Sequence, residues 1–144
     1  MILFLSFFIL GTLQSEAASF QITGVAGEIL LQTNVEPLGT VGKLTDQILG
    51  DSLKTGRLKA YSGSDGGVVS INRLGGELEV LSDTEMNAYG WCYLVDGVVS
   101  GIMADQYKLT GKEKAIKWFY AYAHLKREVW TAMCMPAQHV VNSD

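Results

Sequence analysis

Alternating apolar and polar positions near the start of the chain predict a pair of β-strands. Two β-rich runs, residues 20–26 and 28–35, are separated by Gly27. Turn residues at 36–39, with the sequence Glu-Pro-Leu-Gly, end the second run. Glycine and proline between such runs are typical of hairpin loops and strand ends. We therefore expect a hairpin here.

The next segment has the pattern of one amphipathic helix. Thr40 can serve as its N-cap, because a threonine side chain accepts a hydrogen bond from an N–H group of the first turn. Apolar residues then recur at helical spacing and form one stripe. The stripe consists of Val41, Leu44, Ile48, Leu49 and Leu53. Gly50 and Gly56 are the candidate ends of the helix.

The remainder of the chain predicts short strands separated by turns. Strands are expected at residues 58–61, 68–74 and 78–81, with the glycine-rich turn 62–67 between the first two. Asp96-Gly97 is a favoured tight-turn dipeptide, so residues 91–95 and 98–103 predict a second hairpin. Residues 115–123 and 129–135 predict a third, joined by a polar bend at 124–128.

This order of elements indicates an α+β fold. A strand pair, one helix laid across it and further strands is the order of a β-grasp, in which the helix covers one face of a sheet. Residues 129–135 would be an added C-terminal strand.

Length and charge exclude several other classes. At 144 residues the chain fits one domain, which can bury enough surface to fold without a metal. Fifteen acidic and 11 basic side chains give a net charge of -4, so the chain lacks the basic field that nucleic-acid binding requires. Nucleic acid is therefore not an expected partner.

The first residues have the composition of an export signal. Residues 1–13 are uncharged and mostly apolar, yet too short as a helix to span a bilayer. Ser15 and Ala17 fit the -3 and -1 positions of a cleavage site after Ala17, and cleavage after Ala18 is the alternative. We expect a signal peptide at 1–17, a domain at 18–137 and a flexible tail at 138–144. The mature protein would be periplasmic or extracellular, without a membrane anchor; the alternative is that residues 1–13 form a buried first element.

The two cysteines allow three readings. In an exported protein a pair of cysteines usually forms a disulfide, so Cys92 and Cys134 are expected to be bonded. The alternatives are two buried free thiols, or a Cys-His nucleophile in which Cys92 meets His124 and an acid such as Asp105. The last reading would make the protein a cysteine-dependent hydrolase.

Other reactive motifs are missing from the sequence. With His124 and His139 as its only histidines, the chain has neither an HExxH nor a CxxC motif, so no metal site is expected. The run 62–67, Ser-Gly-Ser-Asp-Gly-Gly, is neither a G-x-S-x-G motif nor a P-loop. We therefore predict no catalytic residue, no cofactor and no enzymatic activity.

Three segments resemble a known family. They are Gly-Trp-Cys-Tyr-Leu-Val-Asp-Gly at 90–97, the stretch 101–109 with Ala104-Asp105, and Ile-Lys-Trp-Phe-Tyr at 116–120. Together with the helix start at 39–41 they resemble the transcobalamin-like C-terminal domain family of bacteria. That family is similar to the β domain of the cobalamin carriers transcobalamin and intrinsic factor. The resemblance implies a β-grasp-like fold and a corrinoid-like ligand contacted by Trp91, Tyr93 and Leu94.

Aromatic residues on the predicted strands are the remaining candidates for a site. The set consists of Tyr89, Trp91, Tyr93, Trp118, Tyr120 and Tyr122. We expect half of them to point into the core and half outward, where they would offer a rigid contact surface; core packing alone is the alternative. Trp118 and Tyr120 join Trp91, Tyr93 and Leu94 as predicted ligand contacts. The leading hypothesis is a non-enzymatic exported module that binds a small amphipathic ligand; the alternative is docking of another envelope protein.

Overall fold

The computed structural model describes residues 16–56, 60–63 and 66–137. Residues 1–15 of the predicted signal peptide 1–17 and the whole predicted tail 138–144 lie outside the described residues. So do residues 58–59 of the predicted strand 58–61 and residues 64–65 of the predicted turn 62–67. The elements, in chain order, are β1 (Ala18–Thr23), β2 (Ile29–Val35), α1 (Val41–Lys54), β3 (Ala60–Ser62), β4 (Val68–Ile71), β5 (Glu77–Ser82), β6 (Glu85–Val95), β7 (Val98–Val99), β8 (Ala115–Lys126) and β9 (Val129–Pro136).

Strand β8 is the centre of the main sheet. Five strands lie in the order β2-β1-β8-β6-β5, with β7 beside β6 and β9 beside β8. Because β6 pairs along one edge of β8, both β1 and β9 share the other edge: β1 pairs with residues 115–119 and β9 with residues 121–126. The β1–β8 pair is parallel and the other pairs are antiparallel. Strands β3 and β4 form a separate two-stranded sheet.

All three predicted hairpins are present. Strands β1 and β2 pair antiparallel, as expected. Asp96 and Gly97 both have positive φ, 49° and 83°, which is the backbone of a type I′ hairpin turn. The third hairpin turns on Arg127 and Glu128, with φ of 48° and 64°. The predicted bend at 124–128 is therefore too long, since β8 continues to Lys126.

The helix begins where the sequence predicts. The Thr40 side chain accepts a hydrogen bond from the Lys43 N–H at 3.2 Å, as an N-cap does. The helix ends at Lys54, and Gly56 follows with a φ of +68° that suits glycine beyond a helix C-terminus. Gly50, the other candidate end, is inside the helix, so that prediction is wrong.

Several strands differ in length from the prediction, β6 and β7 most of all. Strand β4 ends at Ile71 rather than at residue 74. Strand β6 begins at Glu85 rather than at residue 91, because pairing with both β5 and β8 holds its polar first half extended. Strand β7 has two residues instead of six. After Val99 the chain leaves the sheet to meet the helix, where the carbonyls of Ala104 and Tyr107 accept from the N–H groups of Gly42 and Val41.

The helix and one face of the sheet enclose the core. Its members come from β1, α1, β4, β6, the 100–106 loop and β8, and they are Phe20, Ile22, Val41, Leu44, Leu49, Ile71, Tyr93, Val95, Ala104, Ile116 and Trp118. One helix on one face of a mostly antiparallel sheet makes this an α+β fold.

Three chain segments meet closely at the helix N-terminus. A Cβ atom added to Gly42 would be 2.9 Å from the Asp105 nitrogen, and one added to Gly66 would be 2.4 Å from the Gly42 Cα. Helix, turn and loop can therefore pack at this distance only because glycine has no side chain. Asp105 itself is exposed, and the helix is capped here by the Ala104 carbonyl rather than by the Asp105 carboxylate.

Candidate functional site

All six aromatic residues share the sheet face that bears the helix. The β6–β8 register places Tyr89 opposite Tyr122, Trp91 opposite Tyr120, and Tyr93 opposite Trp118. The paired rings lie 5.1 to 6.2 Å apart. The expectation that half would point outward is wrong, because every second residue of a strand points to the same face. We call this set the aromatic row.

The end of the aromatic row beneath the helix is part of the core. Trp118 is buried and its indole N–H donates to the Thr45 hydroxyl at 2.9 Å. Tyr93 is also buried, and its hydroxyl donates to the Ile102 carbonyl at 2.7 Å. Burial raises the pKa of Tyr93, because a phenolate would lose its hydration there. These two side chains hold the helix and the 100–106 loop against the sheet.

The segment between β4 and β5 covers the middle of the row. The Trp91 indole N–H donates to the Leu74 carbonyl at 3.0 Å, and the Tyr120 hydroxyl donates to the Gly75 carbonyl at 2.8 Å. Tyr120 is buried whereas Trp91 is partly exposed. Desolvation by burial raises the pKa of Tyr120. Trp91 is therefore the one of this pair that solvent or a ligand can reach.

A polar network that the sequence analysis missed lies at the far end of the row. The Glu79 carboxylate accepts from the Tyr89 hydroxyl at 2.7 Å and from the Asn87 amide at 3.0 Å. Those two hydrogen bonds, that of Asn87 first, lower the pKa of Glu79. Burial and the hydrogen bond to Glu79 raise the pKa of Tyr89 to about 12. The alternation of polar residues in 77–89 could have predicted a polar row on one face of these strands. Which side chains form hydrogen bonds with each other depends on the strand register, which the sequence does not give.

The same network includes His124. Its Nδ1 lies 2.7 Å from the Asn87 Oδ1, and its Nε2 lies 3.0 Å from the Glu85 carboxylate. Because Asn87 donates its NH₂ to Glu79, its oxygen faces the imidazole and Nδ1 must be the donor. The network therefore fixes the orientation of the imidazole at the sheet surface.

Cys92 and Cys134 form the predicted disulfide, with their Cα atoms 5.8 Å apart. Cys92 points to the face opposite the aromatic row, whereas His124 lies on the aromatic face and Asp105 in the exposed loop. The structure therefore does not assemble the Cys92, His124 and Asp105 nucleophile. Both cysteines of the chain are bonded, so neither supplies a thiolate.

A groove runs along β6 beside the partly exposed Trp91. Its volume is about 780 Å³, and none of the described residues that line it is charged. Trp91, Tyr93 and Trp118 form its aromatic side, β4 and the 99–106 loop form its walls, and Cys92, Met133 and Cys134 border it around the strand edge. We call it the β6 groove.

The predicted ligand contacts divide between two faces of the sheet. Trp91, Tyr93 and Trp118 border the β6 groove. Leu94 lies on the other face of the sheet, where it pairs with Lys117 of β8. It borders a smaller cavity of about 180 Å³. The Tyr120 hydroxyl is engaged with Gly75. A single ligand in the groove can therefore contact the partly exposed Trp91, whereas Tyr93 and Trp118 are buried and Leu94 lies on the other face.

Another groove of similar size, about 840 Å³, lies between β2 and α1. Glu36, Lys43 and Asp51 border it, and it contains none of the predicted site residues. The described residues contain no group of three or more histidine, cysteine or acidic side chains that could hold a metal ion. Across the same described ranges, no helix is long and apolar enough to cross a membrane.

Comparison with known proteins identifies no relative. No family model matches the chain, and neither the curated proteins nor the solved structures contain a significant match.

Proposed function

We propose that the protein is an exported, non-enzymatic binding module that holds an uncharged ligand in the β6 groove. The observation that carries this proposal is the groove itself, which has a volume of about 780 Å³ and a partly exposed tryptophan on its aromatic side. In the part of the chain that the structure describes, no charged residue lines it. Pockets of this size and apolar character are typical ligand sites. A charged group placed there would lose its hydration without gaining a partner, which favours an uncharged occupant.

The disulfide supports export. Disulfides persist in oxidising compartments and are rare in the cytosol, so a bonded Cys92–Cys134 pair agrees with a periplasmic or extracellular location. Strand β1 begins at Ala18, directly after the proposed cleavage site, so removal of residues 1–17 would leave every described element in place. Mass spectrometry of the mature chain tests this: an N-terminus at residue 18 is expected, and an intact residue 1 would contradict it.

The sequence resemblance at 90–97, 101–109 and 116–120 suggests one class of ligand. We propose a β-grasp-like domain of the transcobalamin-like type, for which the support is a helix across one sheet face and the aromatic β6 segment. A corrinoid is then the candidate, contacted by Trp91 and Tyr93. Fold likeness alone does not carry function, so this ligand needs a direct test.

Tryptophan fluorescence tests the groove. Titration with hydroxocobalamin, dicyanocobinamide and the uncharged dye Nile red should give at least one saturable signal, with free tryptophan as the control for absorption by the corrinoid. Val69→Lys, which places a charge in the groove wall, should raise the Kd of the bound probe at least tenfold. Val98→Lys is the matched control, because Val98 is 71% exposed on a strand and does not border the groove. If only Nile red binds, the corrinoid is excluded; if no probe binds, the small-ligand form of the function is wrong.

A second candidate function is docking of another envelope protein. It is favoured by an unpaired stretch of β6 along the same groove.

A further inference from the structure

Strand β6 has an interruption along one edge. Its pairing with β8 covers all 11 residues, Glu85–Val95. On the other edge β5 pairs up to Tyr89, and β7 pairs from Leu94 onward. Among the described residues no strand pairs with residues 90–93 on that side. The sheet thus has a four-residue gap of about 13 Å, flanked at both ends by strands.

The backbone of Trp91 points into this gap. The Tyr93 carbonyl faces the same edge, because it accepts a hydrogen bond from the Ser100 N–H at 3.1 Å. Along a strand, successive residues direct their N–H and C=O groups to opposite edges, so residues two apart direct them to the same edge. The Trp91 N–H and C=O therefore face the gap, and no described residue forms a backbone hydrogen bond with them there. An unpaired strand edge is a template for another strand.

The β6 groove surrounds this edge from both sides. Trp91 and Tyr93 border it on the aromatic face, and Cys92 and Met133 border it on the other. An extended segment in the gap would direct its side chains alternately to these two faces. Exposed apolar side chains stand around the groove: Val69, Ile102, Met103 and Met133 are 50% to 62% exposed.

We propose that the β6 groove takes up an extended, uncharged peptide segment of a partner protein, which pairs with Trp91 and completes the sheet between β5 and β7. This inference rests on the proposed function and names its ligand class. Strand addition is a known mode of peptide recognition, in which backbone hydrogen bonds provide affinity and side-chain pockets provide specificity. The described lining residues are uncharged and select small or apolar side chains, since an acidic or basic one would be buried among them without a partner.

Hydrogen exchange of single amides, followed by NMR on the disulfide-bonded protein, tests the pairing. In the free protein the Trp91 amide should exchange at least tenfold faster than the Cys92 amide, which faces β8. The probes are terminally blocked tripeptides, short enough for the gap, that place glycine, alanine, valine, leucine or phenylalanine between two threonines. At least one should slow exchange at Trp91 at least tenfold and leave Cys92 unchanged.

Backbone-modified peptides and groove variants separate pairing from nonspecific contact. N-methylation of the central peptide residue removes the donor for the Trp91 carbonyl and should abolish the protection. Val69→Lys should weaken peptide binding at least tenfold, whereas Val98→Lys should not. Slow exchange of Trp91 in the free protein, or no protection by any peptide, overturns the inference. If the corrinoids or Nile red still bind in that case, the proposed function stands; if nothing binds, both fail.

Discussion

Replacing a glycine by alanine should have opposite effects at two positions of α1. Gly42 lies in the first turn, where its N–H donates to the Ala104 carbonyl at 2.7 Å. Gly50 lies in the interior of the same helix, and a Cβ there meets no atom within 4 Å. Both variants gain the same helix propensity, so their difference isolates the close packing around Gly42.

The structure gives the size of each effect. At Gly50 the added methyl group clashes with no neighbouring atom and reduces the backbone freedom of the unfolded chain. Gly50→Ala should therefore stabilise the protein by about 0.5 to 1 kcal/mol. At Gly42 the Cβ would lie 2.9 Å from the Asp105 nitrogen and 3.0 Å from its Cα, which are backbone atoms that cannot rotate away. Overpacking of this kind costs about 1 to 3 kcal/mol. After the propensity gain of about 0.5 to 1 kcal/mol, Gly42→Ala should destabilise by about 1 kcal/mol, within a range of about 0 to 2.5 kcal/mol.

Urea unfolding of both variants, with the disulfide intact, measures the difference. The free energies of unfolding should differ by the overpacking cost of about 1 to 3 kcal/mol, with Gly42→Ala the less stable, and the slopes against urea should be equal. Equal stability of the two variants would falsify the close approach of helix and loop.

Three further changes test other contacts. Replacing both Cys92 and Cys134 by alanine should lower the free energy of unfolding by about 4 kcal/mol, because the unfolded chain is no longer cross-linked; an unchanged urea midpoint would contradict this. Thr45→Val should cost about 1 to 3 kcal/mol by leaving the Trp118 indole N–H without an acceptor, and Thr45→Ser, which keeps the hydroxyl, should cost clearly less; equal losses would refute that role. Burial alone would raise the pKa of Glu113, but hydrogen bonds from the backbone and the hydroxyl of Thr110 outweigh it and lower that pKa below 4.5. The stability that these bonds contribute is present above pH 4.5 and is lost as the pH falls through the lowered pKa of Glu113 in the folded protein. Thermal melts from about pH 6 to about pH 3 should therefore show a fall in melting temperature that is smaller in Glu113→Gln. Parallel pH profiles of the two proteins would contradict this.

Local signals predicted the elements whose ends depend on neighbouring residues. Thr40 predicted the start of the helix because an N-cap acts within three residues. Asp96-Gly97 predicted a hairpin because the backbone of a type I′ turn suits those two residue types. Strand β6 was predicted too short because its first half, from Glu85, is polar, and its extended form depends on two neighbouring strands. Strand β7 was predicted too long because the apolar run 98–103 contains no residue that marks where the chain leaves the sheet.

The candidate site depends on register and was predicted only in part. Alternation within β6 and β8 sufficed to place each trio of aromatic residues on one face, but which face, and which partner, follows from pairing across the sheet. Trp91 and Tyr93 were predicted to contact a ligand, and both border the β6 groove. The gap beside them was not predicted, because it exists only through the positions at which β5 ends and β7 begins. The Asn87–His124 contact was missed for the same reason.

The parallel pairing of β1 with β8 determines when this protein can begin to fold. Thr23 donates a hydrogen bond to the Trp118 carbonyl across a separation of 95 residues, and β1 pairs with residues 115–119. During synthesis the first hairpin and the helix thus emerge long before the strand that connects them to the main sheet. Closing so long a loop is an entropic cost that precedes any gain from packing, so refolding should be slow for a chain of this size, in the millisecond-to-second range.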